Sequence, residues 1–488
     1  MGAVATLYDT PLRTGVKKPP PVTDMDNYLR IPDLSNIPDP FKMRMFSKTI
    51  NLNPEIPNML QPAQNQAVRK PELLAPGGSF DKCRVALLYG ADAVYAAGKD
   101  FGLRSFAHNL DNEELAGATF LAHRLGKKIY IAVNVFAREA DLGKLPAYLE
   151  YLDELGVDAL IVSDPGVLVL ARTYAPRVPL HLSTQANTTN SLSIRFWRDQ
   201  GVSRINLARE LTFSELREIA KSTDIDLEIF VHGAMCMSYS GRCLLSAFLN
   251  HRSANSGACT QPCRWSYSLV EEKRPGQYFP VQEDGRGTYI FNSKDLCLIE
   301  DTCRLADLGI ASMKIEGRMK GVLYLASITR AYRQAIDRCA ARPEAFEIDE
   351  RWMQDLKRVS HRPYTKGLLY EDAEQPSSNI EPEVSYIQTH TLAGIVGDVG
   401  FRNAQELNGN GPFPQTSGSI WLQARSRLGA GQILEFIYPD GSSRFHTLDR
   451  FEGPSGNLLT DAHPNGWIRF GVDFPVFPFQ VVRTERKG

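Results

Sequence analysis

Four cysteines sit close together in a chain of 488 residues that has eight in all. They are Cys236 and Cys243 in "HGAMCMSYSGRC" and Cys259 and Cys263 in "SGACTQPCRWSY". Four thiolates complete a tetrahedral ligand set for zinc or for an iron–sulfur cluster. Arranged as two short-range pairs, they lower the loop-closure cost of bringing all four together. Neither the C-x2-C knuckle of a zinc ribbon nor the C-x3-C-x2-C triplet of a radical enzyme occurs here. The spacing fits iron–sulfur better than zinc without settling the choice. The chain starts without the apolar core of a secretion signal, so its thiols are expected to be reduced and a metal is favoured over disulfides. Gly233, Gly241 and Gly257 precede the cysteines closely and let the backbone turn its N–H groups toward sulfur. Arg242 and Arg264 adjoin ligand candidates and can balance a cluster's negative charge.

The remaining cysteines behave differently. Cys83, Cys303 and Cys339 fall at helical spacing with apolar neighbours and read as packing residues, whereas Cys297 is ambiguous.

The elements that must position the cluster begin at Pro71. Short apolar runs alternate there with amphipathic segments: "ELLAP" (72–76), "ADAVYAA" (91–97), "KIYIAVNV" (128–135), "DALIVSD" (158–164), "PLHLS" (179–183), "RINLAR" (204–209), "LEIFVHG" (227–233) and "SMKIEG" (312–317). Eight strands with crossover helices predict an α/β fold, a (β/α)8 TIM-like barrel over 71–345 rather than an open sheet. The clustered cysteines fall in an insertion of roughly 80 residues between strands seven and eight, a length that is usually functional. Residues 1–70 are rich in proline and polar residues and read as a disordered or loosely docked arm. Residues 346–387 read as a transition. From 388 to 488 the pattern is strand and turn only, with a hairpin signal at Asp440-Gly441, which predicts a small all-β domain.

In such a barrel, chemistry sits on the loops that follow the strands. Asn134, Asp164, Gln185, Asn187, Arg209, Glu210, His232, Glu316 and Arg318 all fall at strand ends, and Arg104 follows the second strand. His232 and Glu316 are the candidates for proton transfer. Arg104, Gln185, Asn187, Arg209, Arg242 and Arg318 are the candidates for holding substrate, because a guanidinium pairs with a carboxylate through two parallel hydrogen bonds. The bland alternatives are that His232 is a satisfied structural histidine and that the arginines only pair with Glu210 and Glu316.

A net charge of −1 gives no global field for nucleic acid. Residues 231–275 are locally basic, with five Arg/Lys against two Glu, and Tyr239, Trp265 and Tyr267 lie among them. Such aromatics can stack unpaired bases or simply pack. No run is long and apolar enough to cross a membrane, and a cytoplasmic location is expected.

The stretch "EIFVHGAMCMSYSGRCLLS" (228–246) resembles the signature of the U32 peptidase-like, or collagenase-like, family, E-x-F-x2-G-[SA]-[LIVM]-C-x4-G-x-C-x-[LIVM]-S. "ELLAPGGSFDKCRVALLYGADAVYA", "LIVSDPGVLVLAR", "HLSTQANTTN", "KIEGRMK" and "YTKGLLYE" look like one branch of it, the prephenate-dependent tRNA uridine hydroxylases. The resemblance spans about residues 71–475 and is weaker in the last domain. It implies a barrel with a small C-terminal β domain and a 4Fe-4S cluster on Cys236, Cys243, Cys259 and Cys263. It also implies 5-hydroxylation of the wobble uridine of tRNA with prephenate as co-substrate. The peptidase alternative lacks H-E-x-x-H and G-x-S-x-G motifs, and its one local Cys/His pair, Cys236 with His232, would be taken by the cluster. A non-enzymatic iron–sulfur RNA-binding or accessory protein is the third reading.

Overall fold

The computed structural model describes residues 70–99, 101, 109–235, 294–370, 386–397 and 416–486, and short strand fragments between 269 and 289. The arm before residue 70, Arg104, Arg242 and all four clustered cysteines lie outside the described residues.

Eight parallel strands close into a barrel: β1 (Glu72–Pro76), β2 (Ala93–Ala96), β3 (Lys128–Val133), β4 (Ala159–Val162), β5 (Leu180–Leu182), β6 (Val202–Asn206), β7 (Asp226–Ala234) and β8 (Ser312–Ile315). Closure is made by β8, which pairs with β1 on one side and β7 on the other. The crossovers carry α1 (Phe80–Leu88), α2 (Asn112–Arg124), α3 (Leu145–Leu155), α4 (Pro165–Tyr174), α5 (Ser191–Asp199) and α6 (Phe213–Lys221). The polar residues that start these helices do so by capping. Asp111 and Glu114 form a reciprocal box at α2, as Thr212 and Glu215 do at α6. Gly156 stops α3 in the left-handed region with φ of 71°.

Between β7 and β8 the chain makes a short strand, Asp295–Cys297, that runs antiparallel to the end of β7, and then α7 (Thr302–Asp307). After β8 comes α8 (Val322–Ala341), most of it buried. The segment that reads as a transition in the sequence holds α9 (Glu350–Arg358) and a strand, Tyr364–Thr365, that joins the barrel sheet through Asp295–Cys297. The C-terminal part is an antiparallel sheet. Its main strands are β9 (His390–Val396), β10 (Thr416–Ala424), β11 (Gln432–Ile437), β12 (Ser443–Leu448), β13 (Trp467–Val476) and β14 (Val481–Glu485). Strict alternation in β13, exposed at Trp467 and Arg469 and buried at Ile468 and Phe470, gives this sheet one inner face.

The sheet is tied to the barrel by buried charge. Arg330 on α8 grips Asp355 on α9 at 2.6 and 2.7 Å; Arg483 on β14 reaches Asp355 at 3.0 Å and Glu435 on β11 at 2.6 and 2.8 Å. Each guanidinium meets a carboxylate in fork geometry, which a lysine could not copy. Tyr89 completes the seam, donating to the Ile437 carbonyl and accepting from the Val481 N–H, both at 2.9 Å.

The four dispersed cysteines are all buried. Cys303 on α7 and Cys339 on α8 are joined by a disulfide, where helical spacing predicts two reduced packing thiols. Helix packing is the reason: it brings the two Cα atoms to 5.5 Å, inside the range a disulfide spans.

The barrel interior is divided. On β1–β4 the inward side chains are mostly small or apolar, with Leu74, Ala93, Tyr95, Ala132, Ala159 and Ile161 forming one cluster. On β5–β8 they are polar: His181, Arg204, Asn206, Glu228 and Lys314 are all buried there. Their neighbours of opposite parity, such as Leu182, Ile205, Ile229 and Met313, pack outward into the helix layer.

Candidate active site at the barrel mouth

The polar half of the interior opens into a pocket of about 90 Å³ at the C-terminal ends of the strands. Asn134, Ser183, Gln185, Arg209, Glu316 and Arg318 line it from loops, and Asn206, Phe230 and Lys314 line it from the strands. Tyr95, Ala132 and Ile161 supply an apolar wall. With Lys314 paired to the buried Glu228, the two arginines against Glu316 leave the mouth with a positive excess, which suits an anionic ligand.

Arg209 holds several parts of this site at once. Its Nη1 donates to the carbonyl of Ala234 at 2.9 Å, and its guanidinium lies 3.9 Å from the centroid of the Phe230 ring. Its Nη2 stands 3.9 Å from Glu316 Oε2, so the expected arginine–glutamate pairing is present but long. Glu316 is fixed through its backbone: its N–H donates to the His232 carbonyl at 2.8 Å, and its own carbonyl accepts from Tyr324 at 2.8 Å. Its Oε2 accepts from Tyr95 at 3.4 Å. Arg318 is buried, and its carbonyl accepts from Lys82 Nζ at 3.2 Å. Gln185 sits on a single 3₁₀ turn after β5.

Below the mouth, Lys314 Nζ donates to Glu228 Oε1 at 2.8 Å and lies 4.5 Å from the centre of the Tyr95 ring. Asn206 Nδ2 donates to the same oxygen at 2.9 Å. Burial alone would raise the Glu228 carboxyl, but Lys314 and then Arg204 outweigh it and hold its pKa below the usual value.

Two of the candidates named from the sequence, His232 and Asn187, stand outside the lining of this pocket. His232 does not face the pocket. Along β7 the register slips, so that Lys314 opposes Phe230 while Ile315 opposes His232, and Val231 is passed over. This bulge turns His232 to the outside of the barrel, as bulges re-aim side chains. Its ring is buried among Tyr324, Tyr332 and Tyr364, with Nδ1 3.3 Å from the Tyr332 hydroxyl. Burial pushes its pKa down to about 3, so it is neutral at physiological pH. The bulge also needs Gly233: its φ is +107°, and a Cβ there would strike the Glu316 backbone. Asn187 is the second case. It lies outside the pocket lining and folds its Nδ2 back onto the Gln185 carbonyl at 3.0 Å, shaping the turn that presents Gln185. Asp164, another strand-end residue, is the N-cap of α4.

Tyr95, Asn206, Phe230 and Lys314 also line the pocket, and all four lie within strands rather than after them. A signal for two of them was present. Lysine within "SMKIEG" and asparagine within "RINLAR" are polar side chains inside strands that a closed barrel buries on both faces.

Known proteins share much of this sequence. The peptidase family U32 profile matches residues 78–379. The tRNA hydroxylation protein P1 of Bacillus subtilis is 36% identical over 416 residues, covering 85% of this chain and 95% of that protein. The tRNA hydroxylation protein P of Escherichia coli is 36% identical over 439 residues, covering 82% and 92%. The 23S rRNA 5-hydroxycytidine C2501 synthase of Escherichia coli is 38% identical over 268 residues, covering 54% of this chain and 39% of that protein. With the profile spanning most of the chain and two such relatives matched over nearly their full length, the chain belongs to peptidase family U32.

Proposed function

We propose that this protein is an RNA-hydroxylating enzyme that converts the wobble uridine of tRNA to 5-hydroxyuridine, with prephenate as co-substrate. The observation that carries the reading is the electropositive pocket, lined by Arg209, Lys314 and Arg318, directly beside the end of β7. Arg209 binds the carbonyl of Ala234, and Cys236 follows two residues later in the chain. The names of the relatives, two for tRNA hydroxylation and one for rRNA 5-hydroxycytidine, support the class of reaction.

Hydroxylation replaces the C5–H of the pyrimidine by C5–OH, a two-electron oxidation whose oxygen atom and electron acceptor must come from a co-reactant and not from the side chains of this pocket. A base must leave its stack to reach a pocket of this depth. The apolar wall of Tyr95, Ala132, Ile161 and Phe230 suits the faces of such a ring, while the arginines suit the carboxylates of prephenate. Four cysteine thiolates would be a chemically suitable donor set for a 4Fe-4S cluster, held by Cys236, Cys243, Cys259 and Cys263. Such a cluster would supply one-electron redox chemistry. The residues of this chain would bind and orient: Arg209 and Arg318 hold the anion, and Glu316, braced by Tyr95, exchanges a proton with the substrate.

The peptidase alternative gains nothing from the geometry. Its one candidate base, His232, is enclosed by three tyrosines on the far side of the strand. The test is gain of function. Expressed in a host whose tRNA lacks 5-hydroxyuridine, the chain should introduce that nucleoside, as read by mass spectrometry of digested tRNA. Its continued absence, with soluble iron-loaded protein present, would contradict the proposal.

A further inference from the structure

We infer that Asn206 selects the base: its Oδ1 accepts a hydrogen bond from the N3–H of uracil, so the pocket takes uridine in preference to cytidine. This rests on the reading of the pocket as the site of pyrimidine hydroxylation.

The orientation of one amide is fixed by its neighbours. Asn206 is 2% exposed and lines the pocket. Its Nδ2 donates to Glu228 Oε1, and that same oxygen accepts from Lys314. A carboxylate can only accept, so it dictates which end of the amide faces it. The other end, Oδ1, is buried without a hydrogen-bond partner among the described residues. A buried acceptor left unpaired is costly, and native structures keep few of them without a reason.

The missing partner has to be a donor. A carboxylate ligand offers acceptors only and cannot satisfy Oδ1. Uracil presents N3–H between two carbonyls. Cytosine presents a bare N3 lone pair at that position, which would face the lone pairs of Oδ1. The flanking carbonyls of uracil need donors in turn. Arg209, lining the same pocket, has a buried Nε with no hydrogen-bond partner among the described residues. The rigid set of Lys314, Glu228 and Asn206 thus makes an acceptor that cannot rotate into a donor. Sites of this kind discriminate more sharply than apolar ones, because the wrong ligand leaves buried polar groups unpaired.

The test uses the full-length, iron-loaded protein supplied with prephenate, in cell extract that provides any remaining co-reactant, and three anticodon stem-loop RNAs carrying uridine, cytidine or 3-methyluridine at the wobble position. Binding is read by fluorescence anisotropy in competition, and product by mass spectrometry of the same RNAs. The uridine RNA should bind about 10- to 100-fold more tightly than the other two. Asn206→Leu should weaken the uridine RNA toward the level of the others. Equal binding of uridine and 3-methyluridine RNAs by the unaltered protein overturns the inference, and this comparison needs no variant to fold. If the uridine and 3-methyluridine RNAs are both hydroxylated at equal rates, the assignment to Asn206 fails while the hydroxylase reading stands. If uridine RNA is preferred but never hydroxylated, base selection holds and the hydroxylase reading fails.

Discussion

Arg209 is joined to Ala234 by a 2.9 Å hydrogen bond across the mouth of the barrel. The bond ties the loop after β6 to the last residue of β7, two positions before Cys236. The guanidinium that makes it also stacks on Phe230 and faces Glu316. One side chain therefore couples the pocket wall to the start of the cysteine-bearing segment. A lysine would retain the charge but lose the stacked plane and the fork.

His232 is predicted to be a structural residue. His232→Phe keeps an aromatic ring in the box of Tyr324, Tyr332 and Tyr364 and removes one long hydrogen bond. It should cost about 1 kcal/mol in chemical denaturation. Hydroxylation, measured per folded protein, should stay within about threefold of wild type. A loss of about 100-fold or more, the scale of a removed general base, would restore His232 to the chemistry.

Acid sensitivity follows from two neutral imidazoles. In the fold, burial lowers His181 and His232 to about 3, against an ordinary value of 6.5. Between those values the unfolded chain binds more protons than the native one, so stability rises with pH and is lost as pH falls below about 6.5. Each histidine contributes a slope of about 1.4 kcal/mol per pH unit in that window. Denaturant midpoints measured from pH 7 to 4 should show it, and His232→Phe should remove one such increment.

The Lys314–Glu228 pair should be more sensitive to loss of one partner than of both. Lys314→Met leaves Glu228 buried with Arg204 3.7 Å away as its remaining cation. That should cost about 3–5 kcal/mol, whereas a combined Lys314→Met, Glu228→Leu variant should recover part of the loss. Urea denaturation of the two single variants and the double variant forms the required cycle. Strict additivity would show that the pair is not coupled.

Asp355 is predicted to be the hinge pin between barrel and β domain. Asp355→Ala leaves Arg330 without a carboxylate, held only by the carbonyls of Tyr438 and Ser442, and leaves Arg483 with Glu435 alone. Limited proteolysis should then cleave between the two parts faster than in wild type, with a stability loss of about 3–5 kcal/mol. Unchanged proteolysis would place the strength of the seam elsewhere, in contacts such as Tyr89.

The fold was largely legible because closed parallel barrels leave a strong trace. Each buried strand is a short apolar run, and each crossover helix carries its own cap or stop, as at Asp111 and Gly156. Arg209, Gln185, Glu316 and Arg318 were legible for the same reason, since they follow strand ends. His232 misled because the alternation of β7 holds as far as Phe230 and then slips. A one-residue bulge leaves no mark except a glycine after it. Lys314 and Asn206 are harder to read because they lie within strands, where a polar side chain marks a buried position without saying what it faces. The disulfide between Cys303 and Cys339 depends on how α7 meets α8, a contact between helices that helical spacing alone does not specify.

The most direct test of the central claim is the 5-hydroxyuridine content of tRNA from a host that lacks its own activity and carries Arg209→Ala at the wild-type protein level. If the pocket beside β7 is where the base reacts, loss of the side chain that positions its wall should lower the content about 100-fold. Wild-type content in that strain would contradict the account.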